Sequence, residues 1–226
     1  MAGVLARRAK RNGISPLLGL LVVVLVGVIA GGGLLAWQFW GTNLAAGRAA
    51  AETVATLRQG WEQNPRPAPT DDSAPAVERP AGDAAAWVLQ IPSIGLEYPV
   101  VAGVAEADLA RGVGWYPGSA LPGQVGNFVL AGNRVTQGEP FRRLLEVAVG
   151  DEIIVETPAA RFTYTVISAP ADLTVAADAS WVIDPVPGRP EEIATQAILT
   201  LTTAEDLIAS DDRSVGFATL TDMESR

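Results

Sequence analysis

Ala197-Ile198-Leu199-Thr200-Leu201-Thr202-Thr203-Ala204-Glu205-Asp206 is the stretch on which the reading of the whole chain turns. From Ala197 to Thr203 the residues alternate, with a β-branched side chain at nearly every second place, which is the period of a strand. The acidic pair Glu205-Asp206 ends that strand, and Arg213 follows a short way on. A strand that stops in a polar turn, with an arginine brought back beside it, can hold a reactive group. Ala204, at the strand's end, has no such chemistry. The chain contains no histidine and no cysteine. That removes the usual general base, thiolate catalysis, disulfides and thiolate metal sites.

Working outward, short β-type runs recur at Trp87–Ile91, Tyr98–Val101, Asn127–Ala131, Glu152–Glu156, Phe162–Ile167, Trp181–Ile183 and Val215–Leu220. Tyr116-Pro117-Gly118, Leu121-Pro122-Gly123 and Val149-Gly150-Asp151 are turns between them. Many short strands with Gly and Pro turns and little helical period predict an all-β barrel or sandwich. Glu106–Arg111 and Phe141–Glu146 read as single helical turns. No repeat of fixed period is present.

The N-terminal part follows different rules. Residues 1–13 carry Arg7, Arg8, Lys10 and Arg11 and no acid, and read as a basic cytoplasmic tail. Residues 14–40 are uncharged and almost wholly apolar, long enough for the roughly 20 residues that a membrane-crossing helix needs. Trp37, Phe39 and Trp40 close this span, where aromatic rings favour the headgroup region. Cations before the span place residues 1–13 inside and the rest outside the membrane. The expectation is an uncleaved single-pass anchor in the cell membrane. Its rival is a cleaved signal peptide ending at Ala45-Ala46-Gly47. Residues 41–85 hold a short helix over 48–62 and a linker with Pro65, Pro67, Pro69, Pro75 and Pro80. The folded domain is expected over 86–226.

Charge narrows the partners. The net charge is −9, from 16 basic and 25 acidic residues, so no nucleic-acid partner is expected. The carboxylates Glu97, Glu106 and Asp108 do not have the spacing of a calcium loop, and no cofactor or metal is expected. Asn127 reads as a backbone-bonding residue at a strand start. Trp115 and Tyr116 read as core or groove-wall aromatics.

Several runs match one family in order. They are Ile91-Pro92-Ser93-Ile94-Gly95-Leu96, Tyr98-Pro99-Val100-Val101, Gly112-Val113-Gly114-Trp115-Tyr116-Pro117-Gly118-Ser119-Ala120 and Pro122-Gly123-Gln124-Val125-Gly126-Asn127-Phe128. Ala131-Gly132-Asn133-Arg134, Pro140-Phe141-Arg142-Arg143-Leu144, Val149-Gly150-Asp151 and Leu199-Thr200-Leu201-Thr202-Thr203 follow. Over Trp87 to Leu220 the chain resembles the sortases, and among them the class E sortases of actinobacteria. The resemblance implies an all-β fold, a closed eight-stranded β-barrel with short helical turns, over 86–226. In working members it implies a membrane-anchored cysteine transpeptidase of the cell envelope. A Cys at the end of the late strand attacks a Thr–Gly bond in a sorting signal, a His serves as acid and base, and an Arg steadies the substrate and the oxyanion.

Carried over residue by residue, the family's Cys falls on Ala204, its His on Asn133 and its Arg on Arg213. A Tyr usual after the His is replaced at Gln137. Alanine supplies no nucleophile, and asparagine carries no proton at a useful pKa. Glu205 and Asp206 put negative charge where a thiolate and an oxyanion would form. The resemblance therefore implies a degenerate member without transpeptidase activity, with Arg213, Gln137 and Thr203 as candidate substrate-groove residues. Its candidate partners are a sorting-signal peptide, an active sortase or a surface protein. Two competing readings remain. One is relocated chemistry at Thr203 or the Glu205-Asp206 acid pair, where only one of Thr202 and Thr203 is expected to face the groove. The other is a purely structural envelope module.

Overall fold

A computed structural model describes residues 20–22, 24–29, 31, 42–65, 75–80, 82, 84–204 and 211–226. The chain divides into two units, Met1–Gly41 and Thr42–Arg226. In the first, residues 20–22 and 24–29 are helical with exposed Leu, Val and Ile side chains. Among the described residues no helix is long and apolar enough to cross a membrane, and most of the expected span 14–40 lies outside them.

The second unit is a barrel. Its strands are β1 (Ala85–Ile91), β2 (Leu96–Ala102), β3 (Val113–Trp115), β4 (Gly126–Gly132), β5 (Glu152–Glu156), β6 (Ala160–Ser168), β7 (Thr174–Ala176), β8 (Ala197–Ala204) and β9 (Asp212–Ser225). The sheet runs β6-β5-β1-β2-β3-β4-β8-β9, and the β6–β9 pairing closes it into an eight-stranded barrel. The short β7 adds to β9 alone, outside that ring. Closure leaves those eight strands without a free edge.

Alternation along the strands fills the interior. Phe162, Tyr164 and Val166 of β6 are buried while Arg161, Thr163 and Thr165 between them are half-buried. Trp87 lies at the centre, edge-on to Trp115 and Phe128 at ring-centroid distances of 5.7 Å each. Such edge-to-face contacts add to the apolar burial of the rings. The Trp115 indole N–H is satisfied by donating to the Ala120 carbonyl at 3.1 Å.

An α-helix, α1 (Thr42–Gln63), packs against β1 and β2 and buries Ala50 and Val54. The helix is longer than the expected 48–62, and the compact unit begins at Thr42 rather than at 86. Arg58 fixes the helix by pairing with Glu97 of β2 at 2.8 Å and with Glu156 of β5 at 2.9 Å. Of the expected proline linker, residues 75–80 are described. Pro75 is buried there, and Val77 packs on the barrel core. A single turn, α2 (Glu106–Leu109), appears where a helical turn is expected, and the second expected turn is a 3-10 turn at Leu144–Glu146. Trp181–Ile183, expected as a strand, is part of a 3-10 turn over Ser180–Ile183. Its carbonyls are claimed by hydrogen bonds that a ladder cannot share: Trp181 accepts from the Asp184 and Gly188 amides, and Val182 from the Asn127 side chain.

Candidate functional site

Two pairings bring the site together. β4 and β8 run parallel in register, from Gly126 opposite Ala197 to Gly132 opposite Thr203. β8 and β9 form an antiparallel pair in which Ala204 lies opposite Arg213 and Thr203 opposite Ser214. Asn133, the next residue after β4, thus reaches the same end of the barrel as Ala204 and Arg213. β7 pairs on the other side of β9, with Val175 opposite Arg213.

Gly132 is required where β4 turns out of the sheet. A Cβ there would lie 2.6 Å from a ring carbon of Phe141, which is fully buried. The Phe141 amide in turn donates to the Asn133 carbonyl at 3.0 Å, which fixes the strand's exit.

A cavity of about 440 Å³ opens at this end. Asn133, Thr202, Thr203 and Arg213 line it, as do Val104, Leu109 and Tyr116 on one wall and residues 175–180, 182 and 183 on the other. It is mainly apolar with a few polar groups, in the size range of a pocket for a small or extended ligand. The Asn133 amide donates to the Leu109 carbonyl at 3.3 Å. Arg213 is half-buried and donates to the Asp212 main-chain carbonyl at 2.9 Å, among its other interactions.

The two threonines both line the cavity, contrary to the expectation that only one does. The cavity lies at the strand's end, where neighbouring residues both reach it whatever the alternation of their side chains. Thr203 is buried, and its hydroxyl donates to the Gly132 carbonyl at 2.7 Å. A peptide carbonyl accepts that hydrogen bond but does not take the proton, so the hydroxyl is not activated as a nucleophile. The acid pair Glu205-Asp206 lies outside the described residues. Gln137 is exposed, has φ 55°, and is not among the residues that line the cavity.

The far wall, with Asp178 on it, has no counterpart among the residues picked from sequence. It is tied down by Asn127. This buried amide donates to the Val182 carbonyl at 2.9 Å and the Asp184 carbonyl at 3.0 Å, and accepts from the Thr200 hydroxyl at 2.6 Å. Asn127 is thus the backbone-bonding residue its place at a strand start suggested, and it holds the wall against β4 and β8. Tyr116 lines the cavity and Trp115 lies in the core, as their reading as wall and core aromatics requires. Two of the three acids considered for calcium have other partners. Glu97 is paired with Arg58, and Asp108 with Arg111 at 2.9 Å.

The sortase-domain family model matches residues 89–221, the barrel and its site together. The chain belongs to the sortase family. Sortase SrtE1 of Streptomyces coelicolor is 32% identical over 186 residues, covering 79% of this chain and 50% of that protein. The chain spans about half the length of the curated relatives it matches. Sortase E from Streptomyces avermitilis superposes with a TM-score of 0.56 at 32% identity, over 62% of this chain and 90% of that one. Sortase E1 from Streptomyces coelicolor, solved with a tripeptide in its active site, does so with a TM-score of 0.56 at 29% identity, over 63% and 91%. This sortase chain is therefore similar to class E members in sequence and in fold.

Proposed function

We propose that this sortase-family protein is an extracytoplasmic peptide-binding pseudoenzyme, anchored in the cell membrane by residues 14–40, that holds a sorting-signal-type peptide without cleaving it. The observation that carries this reading is the convergence of Asn133 and Arg213 at one cavity, with Ala204 opposite Arg213 at the end of β8, in a chain with no cysteine and no histidine. The scaffold and the arginine persist where the resemblance places the family's catalytic residues, while a thiol and an imidazole are missing. An apolar cavity edged by strand ends suits an extended segment, which can bind through its backbone without any catalytic group. The tripeptide bound by sortase E1 of Streptomyces coelicolor is a precedent for such an occupant. The basic tail 1–13 and the apolar 14–40 support anchoring with the barrel outside. The natural source of the peptide would be a surface-protein tail, presented alone or with an active sortase.

The test uses the full chain in detergent with an LAXTG-type peptide and an amine acceptor. Saturable binding without any cleaved or amine-linked product, weakened by Arg213→Ala, is the expected result. Turnover that disappears in Thr203→Ala would establish relocated chemistry instead. A chain that binds neither this peptide nor an active sortase would be a structural module.

A further inference from the structure

The helix α1 and the loop after Asn133 are joined in a way that the peptide-binding reading does not require. Gln137, Gly138 and Glu139 form a consecutive left-handed run, with φ of 55°, 82° and 52°. Glycine adopts this region freely, but Gln and Glu do so against the contact of their Cβ atoms with their own backbone. Such residues persist where surrounding contacts over-determine them. Here α1 supplies part of those contacts. Asn43 accepts from the Gly138 amide at 3.2 Å and donates to the Val135 carbonyl at 3.4 Å and to the Glu139 carboxylate. The helix also closes over the loop: a Cβ on Gly138 would lie 3.2 Å from both the Ala46 Cβ and the Gly47 nitrogen. Other pins lie outside the helix: the Tyr98 hydroxyl donates to the Gly138 carbonyl, the Glu139 amide to the Thr136 carbonyl at 3.0 Å, and Arg142 pairs with the Glu139 carboxylate at 2.9 Å.

The other end of α1 is held by a separate cluster. Arg58 pairs with Glu97 and Glu156, Arg226 pairs with Glu156 at 3.1 Å, and the Arg226 guanidinium lies 5.0 Å over the Trp61 ring. Between these ends the helix buries only Ala50 and Val54. The loop itself carries an unmet cost, since the buried Arg134 Nε has no hydrogen-bond partner among the described residues. Arg134 follows Asn133 directly, and Asn133 lines the cavity.

We propose that α1 is a strap whose docking holds the 134–140 loop in its left-handed conformation and thereby sets the cavity rim at Asn133. Release of the Arg58 end frees the helix, the loop relaxes, and the rim at Asn133 changes shape. Whatever displaces α1 from the barrel therefore acts on the cavity.

Amide hydrogen exchange on the full chain tests this without any peptide ligand. Arg58→Ala touches nothing in the loop. It is expected to speed exchange across α1 and, with it, at Gly138 and Glu139 by roughly tenfold, with β4 and β8 unchanged. Asn43→Ala, which cuts the loop end, is expected to speed Gly138 and Glu139 alike. Should Arg58→Ala also loosen the barrel strands, Glu97→Gln is the gentler cut, since Arg58 keeps Glu156, and the same pattern at smaller size is expected. Exchange at Gly138 and Glu139 that stays at the wild-type rate while α1 is released would overturn the proposal. So would an α1 that stays protected in both Arg58→Ala and Glu97→Gln.

Discussion

Asn127→Ala is the substitution whose cost the structure specifies most closely. The side chain is 2% exposed and makes three hydrogen bonds: to the Val182 and Asp184 carbonyls and from the Thr200 hydroxyl. Alanine leaves two carbonyls and a hydroxyl without their partner beside the cavity. Each buried polar group left unsatisfied costs about 1–3 kcal/mol. Water entering from the cavity recovers part of that for the carbonyls, so the expected loss is on the order of 3–5 kcal/mol. Against a domain stability of about 5–15 kcal/mol this is large but survivable. Urea unfolding followed by tryptophan fluorescence measures it. Thr200→Val provides the internal control, because it strips one bond from the same amide. The double variant should then lose less than the sum of the two single losses, the mark of residues in one network. The wall at 182–184 should also loosen, so peptide affinity should fall with stability. A loss below about 1 kcal/mol with unchanged affinity would refute the idea that Asn127 positions the wall.

Three further outcomes follow from the packing and the charges. Gly132→Ala should destabilise by about 1–3 kcal/mol in the same unfolding assay, because its Cβ meets the buried Phe141 ring at 2.6 Å. Hydrogen bonds from Arg58 hold Glu97 below the ordinary carboxylate range against the opposing effect of burial. Its contribution is therefore present above the unfolded value of about 4.3 and is lost as pH falls through the lower folded value. In an acid titration Glu97→Gln should flatten this part of the stability curve, by no more than about 1 kcal/mol for so exposed a pair. Burial pushes the Tyr164 phenol far up, against the Gly123 amide that donates to it at 2.8 Å. Its contribution persists below the unfolded value of about 10 and is lost as pH rises beyond it. Alkaline unfolding and phenolate absorbance should appear together, and Tyr164→Phe should shift the base transition upward.

The sequence carried the barrel because its strands are long enough to show their period. Glu152–Glu156 was expected at the bounds β5 has, and Ala197–Thr203 falls one residue short of β8. β3 and β7 are three residues each, too short for alternation to register. Trp181–Ile183 has β-type composition, but capture of its carbonyls by the Asn127 amide and by local amides turns it into a 3-10 turn. That is a long-range contact that no local pattern announces. Docking of α1 was equally hidden, since two small buried residues make a weak apolar stripe and its polar ties reach residues far along the chain. Asn133, Ala204 and Arg213 were legible through the family resemblance, and the register of β4, β8 and β9 brings the three to one end of the barrel. The opposite wall at 175–180 is a run of mostly small residues with no motif, and only the fold brings it to the cavity.

The central claim is that the family scaffold survives here without its thiol–imidazole chemistry. Intact-mass spectrometry of the full chain with an LAXTG-type peptide tests it, run beside the variant that carries both Ala204→Cys and Asn133→His. The account predicts uncleaved peptide and an unmodified wild-type chain. It predicts a covalent acyl adduct on the double variant, whose new thiol and imidazole would stand on the strand ends beside Arg213. Cleaved peptide or an adduct on the wild-type chain would contradict it.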